Sequence, residues 1–231
     1  MREIFYGMEK VSLVDFEGYL VCTVFTKGCN FRCPFCHNAS LALNEETEPI
    51  PLQEIVDYIK LRKGVLDGVC ISGGEPTINK ELPEVAKIFK DLGLLVKLDT
   101  NGSNPEMLRE LIDNKLIDYC AVDIKNGLSG YSKITGIENP PLNKILETIK
   151  ILKEHKIGYE FRTTLVNEYH TERDIQEIGL LLNGEDKLYL QKFVDHGTCI
   201  RSNLHEVPIE KAQEYQGLLS KHIKNVILRG Y

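Results

Sequence analysis

The sequence lacks any long apolar run and any excess of positive charge. Its 231 residues include 28 Lys and Arg against 34 Asp and Glu, a formal net charge of −6 at pH 7. That balance argues against a general nucleic-acid-binding surface, because a phosphate backbone requires clustered positive charge. No apolar stretch approaches the roughly 18 residues of a membrane-spanning helix, and the charged start of the chain does not resemble a signal peptide. We therefore expect a cytoplasmic protein with no nucleic-acid or membrane partner, and we treat it as a monomer.

The cysteines lack the even count of a simple disulfide framework. There are seven, so they cannot all pair within the chain. In a reducing compartment, cysteines are more often metal ligands, catalytic groups or buried apolar residues than disulfides. Cys29, Cys33 and Cys36 lie within eight residues of one another, and the sequence contains no second such cluster. Three of the other four lie in predicted strands and are expected in the core, whereas the role of the fourth, in a polar stretch, stays open. In chain order these are Cys22, Cys70, Cys120 and Cys199.

Short β-branched runs alternate with helical patterns along the chain. The predicted strands cover residues 19–25, 68–72, 94–98, 119–124, 159–166 and 188–194, with a short addition at 226–228. The predicted helices cover residues 51–63, 82–92, 105–114, 142–155, 173–182 and 208–223. Such alternation predicts a parallel sheet with right-handed crossovers.

The number of strand–helix units predicts the type of α/β fold. Eight units would close a barrel, so about six predict a partial (β/α)6 TIM-like barrel, with a doubly wound sheet as the competing fold. No linker or low-complexity segment interrupts the chain. We therefore expect a single domain over residues 1–231, with a core at about 19–194. Short extensions precede this core and follow it, the second at about 195–231.

Polar or glycine-rich residues follow almost every predicted strand. In parallel sheets and barrels, the carboxyl ends of the strands form the edge that holds the active site. Core packing gives no reason to place polar residues there six times. The segments are 27–29, 72–76, 99–102, 123–125 and 162–164, together with Gln191.

The segment from Gly28 to Asn38 contains the spacing C-x3-C-x2-C. Three thiolates on one short loop suit an iron–sulfur cluster, since thiolate is the usual cluster ligand. A four-iron cluster takes four ligands, so three cysteines leave one iron open to chelate a substrate. The competing metal is zinc, with His37 as the nearby fourth candidate. Structural zinc sites, however, usually pair C-x2-C with a second distant pair, which the sequence lacks.

This spacing, with Phe35 as the aromatic residue before the last cysteine, resembles the cluster motif of the radical S-adenosylmethionine (SAM) superfamily. The resemblance implies that Cys29, Cys33 and Cys36 bind a [4Fe–4S] cluster whose open iron binds the amino and carboxylate groups of SAM. It also implies that reductive cleavage of SAM gives methionine and a 5′-deoxyadenosyl radical. The partial barrel would then be of the radical SAM type.

Gly73-Gly74-Glu75, after the second predicted strand, resembles the GGE motif of the same superfamily. Glycines let backbone carbonyls approach a ligand closely, and Glu75 would add negative charge near the SAM ammonium group. The alternative is an ordinary turn between strand and helix. The cysteine motif after the preceding strand favours the SAM-binding role.

Three further positions resemble SAM contacts. Asp99 resembles the carboxylate that contacts the ribose, because a carboxylate can accept hydrogen bonds from both hydroxyls of a diol. Asp123 and Lys125 resemble the Asp-x-Lys of glycyl-radical activating enzymes, which contacts the ribose and the carboxylate of SAM. A surface ion pair at a strand end is the alternative for these last two.

Arg162, His170 and His37 are candidates from their own positions. Alternation along the fifth predicted strand would aim Arg162 at the same pocket, where a buried arginine needs an anionic partner such as the SAM carboxylate. His170 follows that strand in a loop, where contact with SAM or a partner competes with simple exposure. His37 either lines the adenine site or caps the cysteine loop.

Further stretches resemble the activating proteins of anaerobic ribonucleoside-triphosphate reductases. They lie at residues 11–18, 36–38, 62–69, 98–105 and 162–164, within a resemblance from about residue 11 to 194. Glu17 departs from the pattern, since many relatives carry proline there, and the C-terminal extension matches less clearly. The resemblance implies a protein substrate, because the adenosyl radical takes a Cα hydrogen from a glycine of the partner reductase. It also implies an external electron donor, a flavodoxin or ferredoxin.

Other functions stay open at this point. The same radical chemistry would serve a different glycyl-radical enzyme or a small molecule such as a deazapurine precursor. An iron–sulfur electron carrier is a second alternative, although a carrier has no use for the SAM contacts that the GGE and Asp-x-Lys positions suggest. A zinc-bound interaction module is a third.

Overall fold

The computed structural model describes residues 3–185 and 187–231. In this part of the chain, eight strands follow one another in the sheet in chain order. They are β1 (Phe5–Ser12), β2 (Val21–Thr26), β3 (Gly68–Gly73), β4 (Leu95–Thr100), β5 (Tyr119–Asp123), β6 (Gly158–Leu165), β7 (Lys187–Lys192) and β8 (Asn225–Arg229). The helices are α1 (Ala39–Ala42), α2 (Leu52–Leu61), α3 (Leu82–Asp91), α4 (Pro105–Asp113), α5 (Tyr131–Thr135), α6 (Leu142–Glu154), α7 (Glu172–Leu181) and α8 (Ile209–Leu219).

The first of two compact units comprises residues 3–30, 40–121 and 143–159. Within it, β1 pairs antiparallel with β2, while β2, β3 and β4 run parallel. Phe89 of α3 lies with its ring centroid 6.2 Å from that of Phe5 on β1. The strand centres are β-branched and fully buried, as expected for a sheet covered on both faces: Val21, Val24, Val69, Ile71 and Val96.

The second unit comprises residues 31–39, 122–142, 160–185 and 187–231. Here β6, β7 and β8 run parallel. Helix α7 begins with a capping box between Thr171 and Asp174, a device that stabilises a helix start by about 1 kcal/mol. The guanidinium of Arg229 on β8 lies 3.6 Å from the ring centroid of Tyr189 on β7, and this stacking fixes the C-terminal strand on its neighbour.

The predicted fold class is confirmed. From β2 to α8, six strands are each followed by a principal helix, and the observed bounds lie within a few residues of the predicted ones. The C-terminal extension contributes α8 and β8. The prediction of one domain over residues 1–231 stays a prediction. None of the described helices is both long and apolar enough to span a membrane.

Strand β1, in the N-terminal extension, has no counterpart among the predicted strands. Only its end residues, Phe5 and Ser12, are buried, and the residues between them are half-buried or exposed. The alternation of apolar and polar residues that marks a half-buried strand is therefore missing. Pairing with β2 defines the strand instead, with two irregularities in register.

Candidate active site

The three predicted cluster cysteines lie on the segment that joins β2 to α1. The chain passes from the first unit to the second after Asn30. Cys29 therefore belongs to the first unit, and Cys33 and Cys36 belong to the second. None of the three is in a disulfide, and Cys33 is the most buried. The Cys36 amide donates to the Cys33 carbonyl at 3.0 Å, which forms a turn between them. Gly28, directly before the first cysteine, has a φ of +86°, a conformation that favours glycine.

The surroundings of Cys33 and Cys36 disfavour thiolates in the metal-free chain. Burial raises the pKa of the Cys33 thiol to about 11, although the Lys125 ammonium opposes the shift. Burial also raises the pKa of Cys36, again against Lys125. Because the thiolate is the metal-binding form, a bound cation must supply compensating charge and release the protons. This donor set fits a positively charged iron–sulfur core.

Within residues 3–185 and 187–231, no three His, Cys, Asp or Glu side chains converge as the ligands of a single metal ion would. A four-iron cluster does not require such convergence, because each thiolate binds a different iron. The three-cysteine segment is therefore compatible with cluster ligation as it stands.

The Gly73-Gly74-Glu75 motif packs against the end of β2 and the start of the cysteine segment. The Gly74 amide donates to the Thr26 carbonyl at 2.9 Å, and the Glu75 amide donates to the Gly28 carbonyl at 2.8 Å. A Cβ atom on Gly73 would overlap the backbone of Thr26, and one on Gly74 would overlap the Gly28 carbonyl. Both glycines are thus required by the close approach of two chain segments, before any ligand is considered.

Glu75 is buried, with 1% of its surface exposed, and its carboxylate accepts four hydrogen bonds. Oε1 accepts from the amide and hydroxyl of Thr77 and from the hydroxyl of Thr100, and Oε2 accepts from the Asn101 amide at 2.7 Å. Burial raises the pKa of Glu75, while these donors oppose the shift. The carboxylate joins the chain after β3 to the chain after β4. Its contribution of charge beside the SAM ammonium group stays a prediction.

Asp99 is oriented by a buried lysine on the same strand. Lys97 Nζ donates to Asp99 Oδ1 at 2.8 Å and also to the carbonyl of Asp15, and 3% of the lysine is exposed. Ser72 Oγ donates to Asp99 Oδ2 at 3.2 Å. Both carboxylate oxygens are therefore held in place. The predicted contact of Asp99 with a ribose stays a prediction.

A compact group of charges occupies the end of β5. Arg162 Nε donates to Asp123 Oδ1 at 2.8 Å, and Lys125 Nζ donates to Asp123 Oδ2 at 2.9 Å. Burial alone would raise the pKa of Asp123, but the charges of Arg162 and Lys125 outweigh it and hold that pKa below its ordinary value. Burial disfavours the charged form of Lys125, yet the charge of Asp123, joined by that of Cys33 when it is a thiolate, raises its pKa. All three groups are therefore ionised, and the anionic partner of Arg162 in this structure is Asp123.

His170 is buried and directs both ring nitrogens at the backbone. Nδ1 accepts from the Val166 amide at 3.0 Å, and Nε2 donates to the Lys125 carbonyl at 3.0 Å in the tautomer that fits both contacts. Burial lowers the pKa of His170, although hydrogen bonds to Lys125 and Val166 oppose the shift. The neutral ring therefore holds the backbone of Lys125 in place. A direct contact with SAM or a partner stays a prediction.

We expect the buried neutral His170 to make stability depend on pH. Below about pH 6.5, the ordinary pKa of histidine, the unfolded chain binds a proton at this residue while the folded chain does not. The free energy of unfolding should therefore fall as the pH drops from 7 to 5, and His170→Gln should flatten that fall by up to about 1.4 kcal/mol per pH unit. Denaturant titrations across this range measure the effect, and parallel profiles for the two proteins would contradict it.

The backbone of the cysteine segment is held by the C-terminal extension. Burial, reinforced by Asp195, raises the pKa of the Cys199 thiol to about 11, so the thiol stays protonated and can donate. Three hydrogen bonds join the two segments: Arg201 N donates to Pro34 O at 2.9 Å, Thr198 Oγ1 to His37 O at 2.9 Å, and Cys199 Sγ to Phe35 O at 3.6 Å. The residues around position 199, whose role the sequence left open, therefore have a structural function.

Phe35 and His37 differ in their surroundings. The Phe35 ring is buried, with its centroid 6.5 Å from those of Tyr169 and Phe193. Lys125 Nζ lies 6.0 Å from the same ring centroid. Burial lowers the pKa of His37, and the Lys125 ammonium lowers it further. A neutral imidazole can both donate and accept a hydrogen bond, which suits the predicted adenine site, and that role stays a prediction.

The predicted site residues are divided between the two units. The first unit holds Cys29, Gly73, Gly74, Glu75 and Asp99, and the second holds Cys33, Phe35, Cys36, His37, Asp123, Lys125, Arg162 and His170.

Two residues that support the site are not among the predicted ones. Lys97 is signalled by its basic side chain between apolar residues of β4, two positions before Asp99. Tyr131, whose hydroxyl accepts from the Lys125 amide at 3.2 Å, carries no local signal.

The chain is similar to known proteins both in sequence and in fold. Residues 23–182 match the model of the radical SAM superfamily. A Methanocaldococcus jannaschii protein, whose name provisionally assigns it as a glycyl-radical enzyme activating enzyme, is 34% identical over 99% of this chain and 97% of its own. The pyruvate formate-lyase-activating enzyme of Staphylococcus epidermidis is 28% identical over 79% of this chain and 76% of its own. The crystal structure of Streptococcus suis SuiB bound to precursor peptide SuiA matches with a TM-score of 0.68 and 18% identity, over 91% of this chain and 48% of that one.

These matches differ in what they show. The solved structure supports the fold alone, because its identity is low. The family match covers more than half of the chain and includes the cysteine segment, the GGE motif and the Asp-x-Lys positions. The cofactors of this family are a [4Fe–4S] cluster and SAM. The chain is therefore an enzyme that belongs to the radical SAM superfamily.

Proposed function

We propose that this chain is a glycyl-radical enzyme activating enzyme whose protein substrate is an anaerobic ribonucleoside-triphosphate reductase. The observation that carries the first part is the 34% identity, over 99% of this chain, to the Methanocaldococcus jannaschii protein of that name. The choice of reductase rests on the stretches between residues 11 and 194 that resemble the activating proteins of such reductases.

Cys29, Cys33 and Cys36 are the proposed cluster ligands, each binding one iron. Their eight-residue segment provides thiolates in the number that leaves one iron for SAM. The Lys125 ammonium beside Cys33 and Cys36 favours their thiolate forms and so supports ligation. When bound, the cluster supplies the electron that divides SAM into methionine and a 5′-deoxyadenosyl radical.

Each of four charged residues has a proposed role that follows from the resemblance to SAM-binding positions or from its own contacts. Asp99 and Asp123 would accept hydrogen bonds from the ribose hydroxyls, and Lys125 would pair with the SAM carboxylate. Arg162 holds Asp123 ionised and oriented at 2.8 Å, so we assign it a positioning role. Such fixed charges favour one orientation of the bound cofactor, which is what directs the radical toward a substrate.

The overall reaction balances with one external electron. One SAM and one reduced flavodoxin or ferredoxin are consumed for each glycine that loses a Cα hydrogen. The products are methionine, 5′-deoxyadenosine and a glycyl radical on the partner.

We expect a glycyl radical to form on the reductase when it is mixed anaerobically with the loaded enzyme, SAM and a reductant. Electron paramagnetic resonance (EPR) detects the radical directly. The matched control is a reductase whose radical-site glycine is replaced by alanine, which should give no signal. Because the Staphylococcus epidermidis relative activates pyruvate formate-lyase by name, pyruvate formate-lyase is the second acceptor to test. A signal on that enzyme alone would reject the reductase and keep the activase function, and 5′-deoxyadenosine without any protein radical would point to a small-molecule substrate.

A further inference from the structure

We propose that Asn101 positions Cys29 and raises the reduction potential of the cluster by donating a hydrogen bond to the Cys29 sulfur. This inference rests on the proposed ligand role of Cys29. Asn101 lies in the loop after β4 and is 5% exposed. Its Nδ2 lies 4.0 Å from Cys29 Sγ, within hydrogen-bonding range of a large sulfur atom, and 2.9 Å from Asn30 Oδ1. The two hydrogens of the amide group therefore have one acceptor each.

The orientation of the Asn101 amide follows from its other contacts. Its Oδ1 accepts from the Ser103 backbone amide at 2.9 Å. If the group were flipped, an NH2 would face that N–H, so donor would meet donor. Because the Asn101 NH2 faces Asn30, the oxygen of Asn30 is the second acceptor, and Asn30 Nδ2 then donates to Ser103 Oγ at 2.7 Å. The hydrogen-bond network thus directs an N–H, and not a carbonyl oxygen, at the Cys29 sulfur.

The backbone of Asn101 is held by the GGE glutamate. The Asn101 amide donates to Glu75 Oε2 at 2.7 Å, and the same carboxylate is fixed through Oε1 by two threonines. Glu75 therefore reaches the proposed cluster ligand through Asn101, in addition to any contact it makes with SAM. Glu75 therefore has a second proposed role, which is to hold the loop that carries Asn101.

A hydrogen bond to a ligating sulfur affects the two redox states unequally. The reduced cluster carries one more negative charge than the oxidised one, so an N–H dipole aimed at its sulfur stabilises the reduced state more. Hydrogen bonds to the sulfurs are among the features that set cluster potentials, and the effect is larger at a buried site of low dielectric. Asn101 is therefore a positioning residue that makes the cluster easier to reduce.

The test measures the potential of the reconstituted holoenzyme by EPR-monitored redox titration. Asn101→Leu removes the donor and adds no charge. It is expected to bind a full cluster and to lower the reduced-to-oxidised ratio at a fixed potential by roughly three- to tenfold, where tenfold corresponds to about 59 mV for one electron. The matched control is Asn104→Ala, three residues further along the same loop, whose side chain donates to the Thr77 carbonyl and to no sulfur. It should leave the potential unchanged.

A second measurement uses the wild-type protein, so that the inference can be tested even if an Asn101 variant does not fold. In holoenzyme labelled with 15N only at the side-chain amide of asparagine, which leaves the backbone nitrogens unlabelled, pulsed EPR of the reduced cluster should show a nitrogen coupling from Asn101. An unchanged potential in well-loaded Asn101→Leu, or no coupling to a side-chain amide nitrogen, would overturn the inference. A wild-type protein that binds no four-iron cluster would instead overturn the proposed function, so the two failures are distinguishable.

Discussion

Replacing Cys33 with alanine is expected to abolish the cluster and, with it, the cleavage of SAM. Three thiolates already leave one iron without a protein ligand, and the substitution leaves two. After anaerobic reconstitution, iron and acid-labile sulfide should fall from about four of each per chain to near zero. The EPR signal of the reduced cluster should be lost in parallel, while the circular dichroism of the α/β fold should remain.

Two other cysteines provide matched controls for this result. Cys70 is fully buried in β3, packed with Phe16 and Val21, so Cys70→Ala should lower the free energy of unfolding by about 1 kcal/mol and keep the full iron content. Cys199 donates to the Phe35 carbonyl of the cysteine segment, and Cys199→Ala should also bind a cluster. Full iron in Cys33→Ala, or equal losses in all three variants, would show that the proposed ligands are wrong.

Replacing Glu75 with alanine should cause the largest loss of stability among single substitutions at the site. The buried amides of Thr77 and Asn101 would lose their acceptor, and each unsatisfied buried donor costs about 1–3 kcal/mol. The hydroxyls of Thr77 and Thr100 can rotate toward other acceptors and should add little. We expect the free energy of unfolding to fall by about 3 kcal/mol, which corresponds to a melting temperature lower by roughly 6–12 °C. Thermal denaturation followed by circular dichroism measures both.

Two control variants distinguish the effect of removing the buried Glu75 side chain from the effect of removing its charge alone and from that of removing an exposed glutamate. Glu75→Gln keeps the size but turns an NH2 toward other donors, so it should lie between wild type and Glu75→Ala. Glu110 is exposed on α4, and Glu110→Ala should change stability by no more than about 0.5 kcal/mol. If Glu75→Ala proved as mild as Glu110→Ala, the hydrogen-bonded role of Glu75 would be refuted.

Most of the fold follows from local signals, because each strand–helix unit carries its own. The start of α4 is one example: Asn104 followed by Pro105 predicts a capped helix, and Asn104 Oδ1 accepts from the Met107 amide as expected. Strand β1 shows the limit of local signals. Its side chains do not alternate, and antiparallel pairing with β2 defines it, which a single sequence does not reveal.

At the site, the sequence indicates which residues matter but not which residues they contact. Chemistry and spacing indicate which residues matter, and Asp123, Lys125 and Glu75 all lie at strand ends as predicted. Their partners are far along the chain: Arg162 binds Asp123 across 39 residues, and Asn101 binds Glu75 across 26. Such pairs depend on which strands lie next to each other in the sheet, which the residues around each position do not reveal. For that reason the sequence predicts only that Arg162 binds an anionic partner, and the structure identifies the carboxylate of Asp123 as such a partner.

The most direct test of the central claim is the formation of 5′-deoxyadenosine by the loaded enzyme. The protein is reconstituted anaerobically with iron and sulfide, and it is then incubated with SAM and a chemical reductant. We expect 5′-deoxyadenosine and methionine in equal amounts from the wild type and neither from Cys33→Ala. A wild-type protein that carries a full four-iron cluster, binds SAM and accepts the electron, yet forms no 5′-deoxyadenosine, would contradict the assignment of radical SAM activity.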